Sequence, residues 1–153
     1  MRSELLNKDR FAWMVGASVD SISTAGPPDW SVELSNGGSV QVETGFWRLS
    51  WPGGIVVCSQ DHGHKFGLPA PVNVIEDAMA AIGNARITNA FVREGAPDLV
   101  LEFDNQLLLD VLVGSVGYEC WHMYEASGWH VIVRGSGEAS GLMEPLGMRG
   151  YPE

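Results

Sequence analysis

The sequence is poor in positive charge, in cysteine and in long apolar runs. Nine Lys and Arg stand against 19 Asp and Glu, a formal net charge of −10, and no segment concentrates the positive charge that phosphate contacts require. Nucleic acid is therefore not an expected partner. The two cysteines, Cys58 and Cys120, lack metal-type spacing, which predicts reduced thiols in a reducing compartment. Without an apolar run of ~18 residues or a secretory signal, we expect a cytoplasmic protein with no membrane contact.

The sequence motifs that are typical of common enzymes and phosphate-binding proteins are also missing. The sequence contains no GxGxxG or Walker loop for phosphates, no G-x-S-x-G nucleophile turn and no H-E-x-x-H zinc helix. We therefore expect no cofactor, no catalytic residues and no enzymatic activity.

What the chain does contain is a pattern that occurs twice. Gly16, the pair Pro28-Asp29 and Asn36 match Gly83, Pro97-Asp98 and Asn105 in order and spacing, and Trp47 later matches Trp121. Self-similarity of this kind fixes the architecture before any other feature does. We predict a single domain over 1–153 with internal repeats at about 14–60 and 82–134, a linker and helix at about 61–83, and a C-terminal tail at about 135–153.

Alternating apolar and polar residues indicate that each repeat is made of strands. In the first repeat Trp30, Val32 and Leu34 alternate with polar residues, and Asn36-Gly37-Gly38 is a strong hairpin signal. Residues 107–113 of the second repeat are almost continuously apolar, which is typical of a strand covered on both faces. The predicted fold is mainly β (α+β), with two pseudo-repeated antiparallel meanders forming a sandwich or partly open barrel and one helix between them.

Three segments outside the strands carry further signals. Asn73, with Glu76 three residues later, predicts a helix start, and Gly83 predicts its end. The opening residues 4–14 suit either a short helix or an edge strand, and the alternation of Phe11 with Trp13 favours extended chain. The glycine-rich residues 134–153 predict a loose tail or an irregular wrap.

Two clusters contain metal-ligating or nucleophilic residue types. His62 and His64 follow Asp61 closely enough to chelate a divalent ion. Because no further ligand cluster lies nearby in the sequence, we expect no bound metal, and this loop is kept as an alternative metal site. In Glu119-Cys120-Trp121-His122, strand alternation places Cys120 and His122 on one face and Glu119 and Trp121 on the other. That arrangement favours a structural role over a nucleophile with a base.

The second repeat also resembles a known class of sequence. Residues 98–111, followed by Gly117-Tyr118-Glu119-Cys120-Trp121-His122, resemble small uncharacterised bacterial proteins of the domain-of-unknown-function type. Those proteins carry a strand pair followed by Tyr-Glu-x-Trp, although Gln106 stands here where glycine is usual. Such acidic proteins are often encoded beside polymorphic toxins, so the resemblance implies an immunity-like role and supplies no catalytic residues.

The acidic charge and the resemblance together predict a non-catalytic bacterial protein that neutralises a cationic toxin domain. The side chains predicted to contact that partner are acidic or aromatic: Asp61, Glu94, Asp98, Glu102, Asp104 and Trp51. Two alternatives stay open. One is a small-molecule or metal-binding β protein centred on the loop of His62 and His64, and the other is a homo-oligomeric scaffold. The sequence leaves the oligomeric state and the identity of any partner open.

Overall fold

The strands form two antiparallel sheets. The computed structural model describes residues 2–143 of the 153. Their strands are β1 (Val19–Gly26), β2 (Asp29–Leu34), β3 (Ser39–Val42), β4 (Gly45–Trp51), β5 (Gly54–Cys58), β6 (Ile87–Val92), β7 (Leu99–Phe103), β8 (Leu108–Val113), β9 (Glu119–Tyr124), β10 (Trp129–Arg134) and β11 (Ala139–Met143). Sheet A has the order β1-β2-β3-β9-β10-β11, and sheet B has the order β5-β4-β8-β7-β6. The predicted mainly β fold with two antiparallel sheets is confirmed.

The two repeats interlace, because each is divided between the sheets. The first repeat contributes β1–β3 to sheet A and β4–β5 to sheet B, whereas the second contributes β6–β8 to sheet B and β9–β10 to sheet A. The chain crosses between sheets at Thr44, whose hydroxyl donates to the Glu119 carbonyl at 2.6 Å and whose carbonyl accepts from the Gly114 N–H at 3.0 Å. Each sheet is therefore completed by strands of the other repeat.

The hairpins β2–β3 and β7–β8 are built alike. The side chains of Asn36 and Asn105 each accept a hydrogen bond from the backbone N–H two residues later, at 3.0 and 3.2 Å. The following residues have positive φ, +87° at Gly37 and +74° at Gln106. An asparagine acceptor at this position stabilises the turn, so the second hairpin forms although Gln106 lacks the conformational freedom of glycine.

The core lies between the sheets and contains the matched tryptophans. Trp47 of β4 and Trp121 of β9 are both fully buried. Trp47 packs edge-to-face on Trp30 across the sandwich at 5.3 Å, and Trp121 packs on Phe11 at 6.1 Å. Buried aromatic pairs of this kind add to the stabilisation from apolar area alone. The first pair links the two sheets, and the second links sheet A to the opening helix.

The helix α1 (Val74–Ile82) lies between the repeats as predicted. The Asn73 side chain accepts from the backbone N–H groups of Ile75 and Glu76, and Gly83 ends the helix with φ +54°. This cap satisfies two N–H groups that have no partner within the helix.

The chain opening is helical, so the preference for extended chain was wrong. It forms two 3-10 helices, Glu4–Leu6 and Lys8–Met14. Phe11 and Met14, three residues apart, are both fully buried. Because a 3-10 helix has three residues per turn, this spacing puts both side chains on the core face.

The start of the predicted tail is also ordered. Residues Ala139–Met143 form β11, which pairs antiparallel with β10. Its sequence has little apolar alternation, and the strand forms through pairing with β10 and contact with the 3-10 helix Glu4–Leu6. Residues 144–153 lie outside the described residues. Within residues 2–143 no helix has the length and apolarity needed to cross a membrane.

Candidate functional site: the acidic outer face of sheet A

Equivalent positions on the outer faces of the two sheets carry different chemistry. On sheet A a row of cross-strand partners runs Ser31–Gln41–His122 over β2, β3 and β9. On sheet B the corresponding row runs Val100–Asp110–Arg48 over β7, β8 and β4. The repeated fold thus provides two comparable surfaces in one molecule.

On sheet B the charges of this row neutralise one another. Asp110 is 1 % exposed, with one carboxylate oxygen 2.5 Å from the Arg93 guanidinium and the other 3.3 Å from that of Arg48. A buried carboxylate requires such partners, because desolvation of an unpaired charge is costly. Asp110 and its two arginines therefore serve the fold.

On sheet A the carboxylates surround an open cleft. The cleft has a volume of about 640 Å³ and lies over β1, β2, β3 and the end of β9. Its walls carry the carboxylates of Asp29, Glu33 and Glu43 together with hydroxyl and amide groups, and within the described part of the chain no lysine or arginine lines it. A cleft lined by charge of one sign concentrates the electrostatic potential and attracts opposite charge.

A short hydrogen-bond chain orients one of these carboxylates. The Gln41 amide donates to the Ser31 hydroxyl at 2.8 Å, and that hydroxyl donates to the Glu33 carboxylate at 2.8 Å. Each donor is itself fixed by the strand pairing of β2 and β3. Glu33 is therefore held in one orientation on the cleft wall while remaining exposed.

Two histidines lie beside the cleft and are buried although they belong to the outer face. His122 is 7 % exposed and His130 is 4 % exposed. The His122 Nδ1 and His130 Nε2 atoms lie 3.0 Å apart and share a hydrogen bond, and the Tyr124 ring stacks on His130 at 3.9 Å. These contacts fix the orientation of both imidazoles.

The other nitrogen of His122 points at two carboxylates. Its Nε2 lies 3.4 Å from Glu43 Oε1 and 3.9 Å from Glu119 Oε1, and each of the three residues offers an atom within 4.8 Å of the other two. Among the described residues this buried nitrogen has no hydrogen-bond partner. Glu43 also lines the cleft, so this acid–histidine cluster, as we call Glu43, Glu119 and His122, opens onto it.

The strict alternation predicted for β9 is wrong, because the strand contains a bulge. Trp121 pairs with Val133, and the next pair joins Glu119 to Arg134, so Cys120 is an extra residue on β9. A bulge of this kind reverses the side of the strand on which the preceding residue emerges. Glu119 thereby reaches His122, while Cys120 is fully buried and bonds through its thiol to the Ser115 carbonyl.

Three of the carboxylates predicted to bind a partner have hydrogen bonds within the protein. Asp98 accepts from the backbone N–H of Val113 at 2.9 Å, Asp104 from that of Arg86 at 3.2 Å, and Glu102 from the Asn89 amide at 2.8 Å. Asp98 and Asp104 thus stabilise connections next to β7.

The other three predicted contacts are separated from one another. Glu94 is well exposed and lies 3.9 Å from Arg2, Asp61 ends the 3-10 turn Ser59–Asp61, and Trp51, 43 % exposed, lies at the β4–β5 hairpin. None of the six side chains predicted from the sequence lines the described sheet A cleft.

The histidines of the linker loop contact neighbouring groups. His62 Nδ1 accepts a hydrogen bond from the backbone N–H of Val74 at 3.2 Å, and its ring packs edge-on against Trp30 at 5.6 Å. The His64 ring stacks on Phe66 at 5.5 Å. His62 therefore helps to begin α1, and this use of Nδ1 competes with metal ligation through that atom.

Sequence reasoning missed the cleft residues, although part of the signal was present. Period-two alternation already put Ser31, Glu33 and Gln41 on the polar side of one hairpin. What the sequence did not contain was the neighbour of β3, which turned out to be β9 with its histidine and its bulge. Comparison with protein families, with curated proteins and with solved structures finds no match to this chain.

Proposed function

We propose that this chain is a non-enzymatic binding protein that holds a basic polypeptide in the acidic cleft of sheet A. The observation that carries the proposal is the lining of that cleft: three carboxylates, from Asp29, Glu33 and Glu43, with no cationic side chain from the described residues among them. A cationic partner would gain from a potential that the protein does not neutralise itself.

The size of the cleft defines what the partner would insert. About 640 Å³ accommodates a few side chains rather than a folded domain. An exposed loop presenting arginine or lysine fits best, because guanidinium groups bind carboxylates through two parallel hydrogen bonds. Glu33, already oriented by the Ser31 hydroxyl, would lose little conformational freedom on binding.

The immunity-type role predicted from the sequence is the specific form of this proposal. In that form the basic polypeptide is a bacterial toxin domain, and the complex forms in the cytoplasm. The unpaired thiols of Cys58 and Cys120 support a reducing compartment. Neutralisation then follows from occlusion of the toxin surface and needs no chemistry from this chain.

The test uses the duplication as its own control. Glu33 pairs across strands with Ser21, and Glu102 pairs with Asn89 at the corresponding place on sheet B. The tagged chain is used to capture proteins from a lysate of the source organism at low and at moderate salt, and the recovered protein is then measured against the variants Glu33→Lys and Glu102→Lys.

We expect one basic protein, retained better at low salt, whose association slows about tenfold with Glu33→Lys and less than twofold with Glu102→Lys. An empty column at both salts contradicts the proposal. So does a captured protein whose association is slowed as much by Glu102→Lys as by Glu33→Lys, because binding would then not involve the sheet A cleft.

A further inference from the structure

We propose that the acid–histidine cluster of Glu43, Glu119 and His122 is a binding site for a divalent transition-metal ion, with Zn²⁺ the best match. The site needs no atom from the proposed polypeptide partner, although Glu43 belongs both to the site and to the cleft. It also differs from the linker loop of His62 and His64, where the sequence suggested that a metal might lie.

One distance within the cluster matches that between two metal ligands, and a second is close to it. A charge-assisted hydrogen bond between an imidazole and a carboxylate is about 2.7–2.9 Å long, whereas His122 Nε2 and Glu43 Oε1 are 3.4 Å apart. Ligand bonds of about 2.0–2.2 Å at tetrahedral angles separate two ligand atoms by about 3.3–3.6 Å. The 3.9 Å from Nε2 to Glu119 needs only a small rotation of an exposed side chain to match.

The hydrogen bond between the histidines leads to the same conclusion. When His122 Nδ1–H donates to His130 Nε2, the lone pair on His122 Nε2 faces two carboxylates, which is unfavourable unless a proton or a metal ion lies between them. When the donor is instead His130, Nε2 carries a proton that makes no hydrogen bond within the described residues, although it is buried. A bound metal ion removes the conflict, because the Nε2 lone pair and both carboxylates then face one cation.

The surroundings of His122 are those of a metal-ligating histidine. Such histidines hydrogen-bond a second group through the other ring nitrogen, which fixes the tautomer and the ring orientation. His130 supplies that contact, and it is held in turn by the stacked Tyr124 ring. His130 is thus a positioning residue for the site.

The donor set indicates the class of metal. One imidazole and two carboxylates suit zinc and similar transition ions, whereas Mg²⁺ and Ca²⁺ prefer oxygen ligands throughout. Three protein ligands leave a coordination position for water or for a ligand atom from the cleft, because Glu43 lines the cleft as well.

The test is a zinc titration of the full chain after treatment with a chelator, followed by calorimetry. We expect one Zn²⁺ per chain and at least tenfold weaker binding in Glu43→Gln, in Glu119→Gln and in His122→Gln. The positioning variant His130→Gln should weaken binding by about tenfold. His64→Ala, which alters the linker loop outside the cluster, should leave the affinity unchanged.

A second readout guards against loss of folding. Co²⁺ in place of Zn²⁺ should give visible absorption bands that disappear in Glu43→Gln, a substitution of nearly equal size at a side chain that is 45 % exposed. The proposal is overturned if micromolar Zn²⁺ does not bind stoichiometrically. It is also overturned if binding persists unchanged in folded Glu43→Gln, or if binding is lost in His64→Ala instead.

Discussion

The outer faces of sheets A and B occupy corresponding places in a duplicated fold, but among the described residues only sheet B has an ion pair in its central row. The cross-strand pair Asp110–Arg48 of sheet B forms an ion pair, and the corresponding pair of sheet A is Gln41–His122. The comparison shows that the same strand pairing supports a self-contained charge cluster on one side and an acidic cleft on the other.

The core explains why the faces could diverge. Trp47 and Trp121 hold matching places between the sheets and are both fully buried, so replacement of either would leave a large cavity. The outward-facing positions contribute little to this packing. Where sheet A has Glu43 and Glu119, the corresponding residues of sheet B are Leu112 and Gly45. These two residues have no carboxylate side chain that could bind a cationic group or a metal ion.

The largest expected effect comes from removing the central charge of sheet B. Asp110→Ala should lower the free energy of unfolding by about 2–3 kcal/mol, because two arginines lose their common partner and a buried space is left. The arginines are partly exposed, and their hydration keeps the loss below that of a fully buried pair. Urea unfolding followed by circular dichroism measures it.

The matched control is Gln41→Ala, which removes a hydrogen bond to Ser31 at 2.8 Å. This substitution should lower the free energy of unfolding by about 1 kcal/mol. If the two substitutions destabilise the protein equally, the charges of sheet B are no more structural than the polar groups of sheet A, and the comparison fails.

A smaller effect is expected where the chain crosses from sheet A to sheet B. A Cβ atom on Gly45 would lie 2.2 Å from the Leu112 carbonyl oxygen, so Gly45→Ala must displace backbone and should cost about 1–3 kcal/mol. Gly53→Ala in the β4–β5 turn, where an added Cβ meets nothing within 4 Å, is the control and should leave the urea midpoint nearly unchanged. Equal midpoints for the two variants would show that the crossing tolerates a side chain.

Local signals in the sequence were sufficient for the fold class and for most of the elements, but not for the opening 3-10 helices or for β11. The Asn36-Gly37 turn, the Asn73 cap and the alternation in β2 each depend on neighbours within a few residues. The division of each repeat between two sheets does not depend on near neighbours, because nothing in the sequence near Thr44 specifies which strand β4 will pair with. The fold could therefore be predicted more completely than the partners of its strands.

The candidate site could not be predicted from the sequence for the same reason. Glu119 and His122 were both noticed, but strict alternation separated them, and only the bulge at Cys120 brings them together. Bulges depend on pairing with another strand, here β10. Similarly, the acidic residues chosen from the sequence included Asp98 and Asp104, whose roles in backbone hydrogen bonding emerge only in three dimensions.

The most direct test of the account is to map where a defined cation binds. The ¹⁵N-labelled chain would be titrated with a deca-lysine peptide at low salt, and the amide shifts of corresponding strands would be compared. We predict changes concentrated on β2, β3 and β9 around Glu33 and Glu43, with β7 and β8 nearly silent. Changes concentrated instead around Glu94, Glu102 and Asp104 would contradict the claim that sheet A carries the binding face.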